Sequence, residues 1–239
     1  MSRPPPSFSG PDNSGKLCRV PSQRYFILTA IKAEAHAIAK QFGLRGPRHS
    51  VPVDLNWGRV PASLYVVGMG APRIPDLSGQ AVAGIIMAGL GSALDPQLKV
   101  GDVVVDQSST WRGSKISLKK VWFHNVDHVV TTPEEKAELF GQTGASVVEM
   151  ENEAIKRAAK SYGIPFLGIR AISDTADESI NPKVLEFIDE YGKVRMGSLV
   201  GGVARHPSLI KEMRRLSRSS QIALAALGKA IREIVGHGA

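Results

Sequence analysis

Residues 147–177 read VVEMENEAIKRAAKSYGIPFLGIRAISDTAD, and the fold class is decided there. A short apolar run, Val147-Val148, leads directly into Glu149, Met150 and Glu151. Ala154, Ile155, Ala158, Ala159 and Tyr162 then recur at three- and four-residue spacing, with Glu153, Lys156, Arg157 and Lys160 between them, which predicts an amphipathic helix over 152–162. Gly163 and Pro165 end it. Phe166 to Ala171 reads as a buried strand that empties into Ser173-Asp174. Two carboxylate-bearing strand ends joined by one helix imply an α/β sheet with a ligand crevice at those ends. A buried strand end is a costly place for an acid unless the acid has a partner or a task.

The same alternation extends toward the N-terminus. Arg24 to Ile31 is apolar enough for a central strand, and 33–42 is helical in pattern, with Gly43 as a stop. Glu34 falls in the first turn of that helix, where the helix dipole favours an acid and where a site acid would also project into the crevice. Leu64 to Val67 predicts a strand before Gly68-Met69-Gly70. The glycines could let backbone approach an anion, but the third position of a dinucleotide fingerprint is Arg73. Arg73 is itself either an anion ligand or a solvated loop residue. Ile85 to Ala88 predicts another strand, and Gly89-Leu90-Gly91-Ser92-Ala93 a tight turn with exposed amides. Residues 94–105 give a turn at Gly101-Asp102 and one more strand.

Residues 106–146 carry less pattern. Trp111, Trp122 and Phe123 are candidates for stacking on a flat ligand or for the core. His124 and His128 have a spacing a metal could use on a helix, but the flanking valines are strand-like and no acid motif accompanies them. Thr132-Pro133 with Glu135 marks a helix start of no evident functional content. A short helix is expected over 184–191 and a long one over 207–235, with Leu209, Met213, Leu216, Ala223, Leu227, Ile231 and Ile234 as its buried stripe.

Composition narrows the class. The chain has 239 residues, 43% of them hydrophobic, enough for one large domain over 24–239. Residues 1–23 are rich in Pro, Ser and Gly and read as a disordered leader without a secretory core. The single cysteine, Cys18, excludes an internal disulfide and fits a reducing cytoplasm. The net charge of +8 raises the prospect of anionic partners. Much of the excess lies over residues 205–239, at Arg205, Lys211, Arg214, Arg215, Arg218, Lys229 and Arg232, which suits a solvated helix face or peripheral contact with an acidic membrane. No nucleic-acid recognition motif accompanies it.

The blocks Val148-Glu149-Met150-Glu151, Pro165-Phe166 and Arg170-Ala171-Ile172-Ser173-Asp174, preceded by Leu94-Asp95-Pro96 with Leu98 to Val105 and by the first strand running into Glu34, resemble the purine nucleoside phosphorylase/uridine phosphorylase superfamily. They are especially similar to methylthioadenosine/S-adenosylhomocysteine nucleosidases. Residues 132–144 and Arg205-His206-Pro207-Ser208-Leu209 look like the hopanoid-associated phosphorylases. The resemblance implies a three-layer α/β/α fold on a mixed central sheet, assembled as dimers or trimers of dimers. It implies cleavage of a nucleoside N-glycosidic bond, with no metal and no organic cofactor. Asp174 would protonate the departing purine, with Ser173 holding Asp174 or the base edge. Glu151 would bind the ribose hydroxyls, Met150 the sugar face, and Glu149 would support the turn. Glu34 would orient the attacking water. The base-stacking position falls loosely on Val129 and Val130, and Gly70, Arg73, Gly91 and Ser92 are the candidates for phosphate or water. The implied substrate is a 5′-modified adenosine, lipid-linked forms included, cleaved by phosphate or by water. The alternative is a catalytically silent relative that binds a nucleoside.

Overall fold

The computed structural model describes residues 23–47, 51–56, 61–111, 117–185 and 208–236. The expected leader with Cys18, most of the helix expected over 184–191, and Arg205-His206-Pro207 lie outside the described residues. The chain runs β1 (Arg24–Thr29), α1 (Lys32–Lys40), β2 (Val53–Leu55), β3 (Ala62–Val66), β4 (Val82–Ala93), β5 (Val103–Asp106), β6 (Lys119–Val121), β7 (Phe123–Asn125), α2 (Pro133–Thr143), β8 (Val147–Glu149), α3 (Asn152–Ser161), β9 (Phe166–Asp174), α4 (Pro182–Leu185) and α5 (Ser208–Gly236).

The sheet is mixed. Its order is β2-β3-β1-β4-β9-β5-β6, with β8 paired to the far end of β4 and β7 paired to β8. β1 is parallel to β3 and β4, and β4 is parallel to β9, whereas β2, β5 and β8 run antiparallel to their neighbours β3, β9 and β4. Central strands buried on both faces show the period-two division of side chains. Tyr25, Ile27, Ile86 and Ala88 face a cluster with Ala35, Ile38 and Ala39 of α1 and Ala223, Leu227, Ile231 and Ile234 of α5. Phe26, Leu28, Ile85 and Met87 face Ile155 and Ala159 of α3. The result is three layers, α1 and α5 on one side and α3 on the other. Among the described residues no helix is long and apolar enough to cross a membrane.

Two expectations are corrected. The strand before Gly68 begins at Ala62, and β2 pairs with its outer edge. The glycine turn expected at Gly89–Ala93 is strand: β4 continues for 12 residues to Ala93. These glycines are there for close approach. A Cβ on Gly89 would lie 2.9 Å from Glu34 Oε1, and one on Gly91 would lie 2.8 Å from Val147 Cγ1 and 3.2 Å from Arg170 Cβ. Trp111 stacks obliquely on Tyr25 and packs against the core, with ring centroids 4.8 Å apart, while Trp122 is exposed. His124 sits in β7, so its spacing to His128 is not helical.

The contact of α1 with α5 depends on a third glycine. A Cβ on Gly228 would meet the Ala37 carbonyl oxygen at 2.8 Å. Gly→Ala inside a helix ordinarily stabilises by about 1 kcal/mol, but overpacking against backbone costs about 1–3 kcal/mol. Gly228→Ala is therefore expected to lower the urea midpoint, against its helix propensity. A higher midpoint would show that the two helices move apart at no cost.

Candidate functional site

A cavity of about 230 Å³ opens where β4, β8 and β9 end. Its wall includes Glu34, Glu149, Glu151 and Asp174, with Gly91, Ser92 and Ser173 beside them and Met69, Leu90, Val126, Val129, Val130, Met150 and Ile180 as apolar surface. All four carboxyl groups are nearly inaccessible to solvent. Each is held differently.

Glu34 is held by backbone alone. Its Oε2 accepts from the Ile31 amide at 3.0 Å and its Oε1 from the Leu90 amide at 2.8 Å. It thus ties the start of α1 to the middle of β4. Burial pushes the Glu34 carboxyl up to about 7, against the two amide hydrogen bonds that draw it down.

Glu149 and Glu151 share one cation. Arg170, fully buried on β9, places Nη2 2.5 Å from Glu149 Oε2 and 3.3 Å from Glu151 Oε2. Glu149 Oε2 also accepts from the amides of Glu151 and Asn152, at 2.9 and 2.7 Å, and so caps the first turn of α3. Glu151 Oε1 accepts from the Gly70 amide at 3.1 Å. Burial raises the Glu151 carboxyl above its ordinary range, with Arg170 opposing the shift and Glu149 adding to it.

Asp174 ends β9 at an irregularity. Gly91 pairs with Ile172, but the next residue, Ser92, pairs with Asp174, so Ser173 is an extra residue in β9. Such a bulge re-aims the side chains around it. Ser92 Oγ donates to Asp174 Oδ2 at 2.5 Å, and Ser173 Oγ lies 2.8 Å from Oδ1. Oδ2 also takes a hydrogen bond of 2.7 Å from Lys136 Nζ, a lysine on α2 with no solvent exposure. The helix that starts at Thr132 thus carries a side chain bonded to the cavity wall. Thr132 Oγ1 accepts from the Glu135 amide as expected, but the Glu135 carboxylate turns to the Thr131 amide and His128.

Most sequence candidates meet in this cavity: Glu34, Glu149, Met150, Glu151, Ser173, Asp174, Val129, Val130, Gly91 and Ser92 all line it. Gly70 stands one hydrogen bond behind, its amide taken by Glu151. Arg73 is exposed and not in the cavity wall. Lys136 and Arg170 were missed as site residues. The only trace of Lys136 is its place three residues before Leu139, on the buried side of α2. Arg170 reads as one charge inside an apolar run, a buried cation that must have an acidic partner.

A crystal structure of 5′-methylthioadenosine/S-adenosylhomocysteine nucleosidase from Helicobacter pylori superposes with a TM-score of 0.63 at 18% identity, over 90% of this chain and 98% of that one. The futalosine hydrolase of H. pylori gives 0.62 at 17% identity, over 90% and 97%. The fold is the nucleoside phosphorylase-like fold. Residues 109–197 match the family model of the phosphorylase superfamily, so the resemblance to that superfamily holds. In sequence, the chain is 33% identical over 75 residues to the aminodeoxyfutalosine nucleosidase of H. pylori strain J99, covering 31% of this chain and 33% of that protein. It is 34% identical over 80 residues to the 5′-methylthioadenosine/S-adenosylhomocysteine nucleosidase of an Exiguobacterium strain, covering 33% and 34%. The chain thus matches about a third of the length of these curated relatives.

Within the phosphorylase-like frame, Arg170 is the element whose removal exposes the cost of the site. Arg170→Met would leave Glu149 and Glu151 buried side by side without their cation. Breaking a buried pair in this way costs about 3–5 kcal/mol, so a large fall in thermal midpoint is expected. A change of under about 1 kcal/mol, at the scale of an exposed pair, would show that the carboxylates find other partners.

Proposed function

We propose that the chain is a nucleosidase that hydrolyses the N-glycosidic bond of a purine nucleoside. One observation carries this: Glu34, Glu151 and Asp174 line the same cavity. Bond breaking leaves positive charge on the ribose and negative charge on the departing base. Glu151, beside Arg170, accepts from the ribose hydroxyls and faces the developing sugar cation. Asp174 supplies a proton to a ring nitrogen of the base. Glu34, at about 7, takes the proton of the attacking water. Met69 and Met150 pack on the sugar, and Val126, Val129, Val130 and Ile180 enclose the base. The names of the matched relatives support the same chemistry.

Water is favoured over phosphate by charge. Among the described residues the cavity wall holds four carboxyl groups and no lysine or arginine, an unfavourable seat for a phosphate dianion. Adenine is the proposed base and a 5′-modified adenosine the proposed substrate class. Lys211, Arg214 and Arg218 are exposed on α5, while Arg215 reaches the loop after Asp174 by bonding Glu178 and Ser179. A basic face so close to the site would suit a substrate carried on an acidic membrane. Assembly as a homo-oligomer is part of this reading. The second reading, a silent nucleoside binder, rests on Asp174, whose oxygens already accept from Ser92, Ser173 and Lys136.

The first test is release of free base from adenosine, methylthioadenosine and an adenosyl-lipid in vesicles, with and without phosphate. Release without phosphate is expected, with Asp174→Asn slower by about 10²–10⁴-fold. Nucleoside binding without release would establish the silent binder, and strict phosphate dependence would overturn hydrolysis.

The second test is pH. Glu34 must be ionised to act as a base, so kcat/KM should rise with pH and reach half its plateau near 7. Glu34→Gln should remove that limb along with about 10²-fold or more of the rate. An ascending limb unaltered in Glu34→Gln would exclude Glu34 as the base.

A further inference from the structure

Lys136 has no exposed surface, and no step above uses it. Its Nζ donates three hydrogen bonds: to Asp174 Oδ2 at 2.7 Å, to the Thr175 carbonyl at 2.7 Å and to the Glu178 carbonyl at 2.9 Å. Those are all the protons an ammonium has. Burying such an ion costs several kcal/mol even after relaxation, and an apolar side chain of similar volume is often as stable or more so. Stability alone gives little reason for a lysine here. The carboxylate it bonds, in contrast, lines the cavity.

A carboxylate offers about four lone-pair sites. Three are occupied: Oδ2 by Lys136 and Ser92, Oδ1 by Ser173. The Ser92 hydroxyl can turn on its own bond and yield its place on Oδ2 to a base in the cavity. The lysine cannot turn away without losing both carbonyls. A base that takes the place of the Ser92 hydroxyl meets the oxygen that Lys136 holds, while Oδ1 keeps one open site.

We propose that Lys136 is a positioning residue of the proton donor: it fixes Asp174 and passes it the proton that the departing base takes. The inference rests on the nucleosidase reading above. The Nζ–H bond breaks as an O–H bond forms on Asp174 Oδ2. That O–H bond then breaks as an N–H bond forms on the base, whose ring has received the electron pair of the glycosidic bond. Lys136 is left as a neutral amine with two N–H groups on Thr175 and Glu178. Its lone pair faces Asp174 Oδ2, through which a proton from solvent in the cavity returns to it, while Glu34 releases to solvent the proton it took from the attacking water. The charged and titratable neighbours are Asp177 and Glu178 after β9, Arg215 of α5 on Glu178, Glu135 and His128 near the start of α2, and Glu34, Glu149, Glu151 and Arg170 around the cavity. Lys136 and Arg170 are the buried cations among them.

The test compares two substrates. Adenosine needs its base protonated, whereas 4-nitrophenyl riboside leaves as a stabilised anion. Lys136→Met should lose about 10²-fold or more on adenosine and less than about tenfold on the nitrophenyl riboside. The descending, alkaline limb of its adenosine profile should move to lower pH, because the proton is no longer held by the pair. If Lys136 were only a cation near a self-sufficient acid, removing it would move that limb to higher pH. If it were only a brace, both substrates would lose equally and the limb would stay. Either result overturns the proposal. Should Lys136→Met not fold, Lys136→Arg carries the test, since a guanidinium keeps the charge but does not release its proton. Selective loss on adenosine is again expected, and full adenosine activity overturns the proposal. Wild-type protein that cleaves neither substrate would refute the nucleosidase reading and this inference with it.

Discussion

The rest of the structure depends on strand β4 continuing unbroken to Ala93. It lies between β1 and β9, then gives its last two residues to β8. Each part of the site is set against its backbone. Glu34 accepts from Leu90, Arg170 and Val147 press on Gly91, and Ser92 bonds Asp174. Any side chain at 89 or 91 would push on the Glu34 carboxyl or on Arg170. The two glycines cost conformational entropy within a strand. What they permit is a carboxylate and the stem of an arginine packed directly on the sheet.

The buried acids differ in what neutralises them, and that difference separates their chemistry. Glu149 accepts from a guanidinium and two amides with one oxygen, which suits a capping role. Glu151 shares the same guanidinium at longer range and keeps contact with the cavity. Glu34 has amides only. Amide dipoles offset burial incompletely, so its carboxyl sits near 7, where it can take or release a proton at neutral pH. Asp174 has an ammonium and two hydroxyls. One cavity therefore combines an acid poised to accept a proton with another tied to a proton-rich partner.

The layers and most of the site were legible in the sequence because they repeat with known periods. Apolar runs broken by Gly163 and Pro165 located α3 and β9, and an acid at each strand end located the crevice. The glycine turn was misread because Gly89 and Gly91 look the same in sequence whether they bend the chain or admit a neighbour. Only the packing of Glu34 and Arg170 tells the two apart. Lys136 was passed over for a related reason. A lysine one turn into a helix ordinarily snorkels to solvent, and nothing local announces that the loop after Asp174 will close over it. Short strands β2, β6 and β7 have three residues each, too few for alternation to register.

The match to the superfamily covers residues 109–197, although the fold extends on both sides of that window. The division follows from what each half contributes. The second half contributes side chains: Lys136, Glu149, Glu151, Arg170, Ser173 and Asp174. These depend on particular residue types. Much of what the first half contributes is backbone. The amides of Ile31, Gly70 and Leu90 hold Glu34 and Glu151, and any sequence that adopts the same path supplies them. The exceptions are Glu34 and Ser92, two positions among many. A site built half from amides and half from side chains can keep its geometry while half of its sequence loses recognisable likeness. The likeness of fold to the H. pylori nucleosidase, over 90% of this chain at 18% identity, is the wider of the two matches.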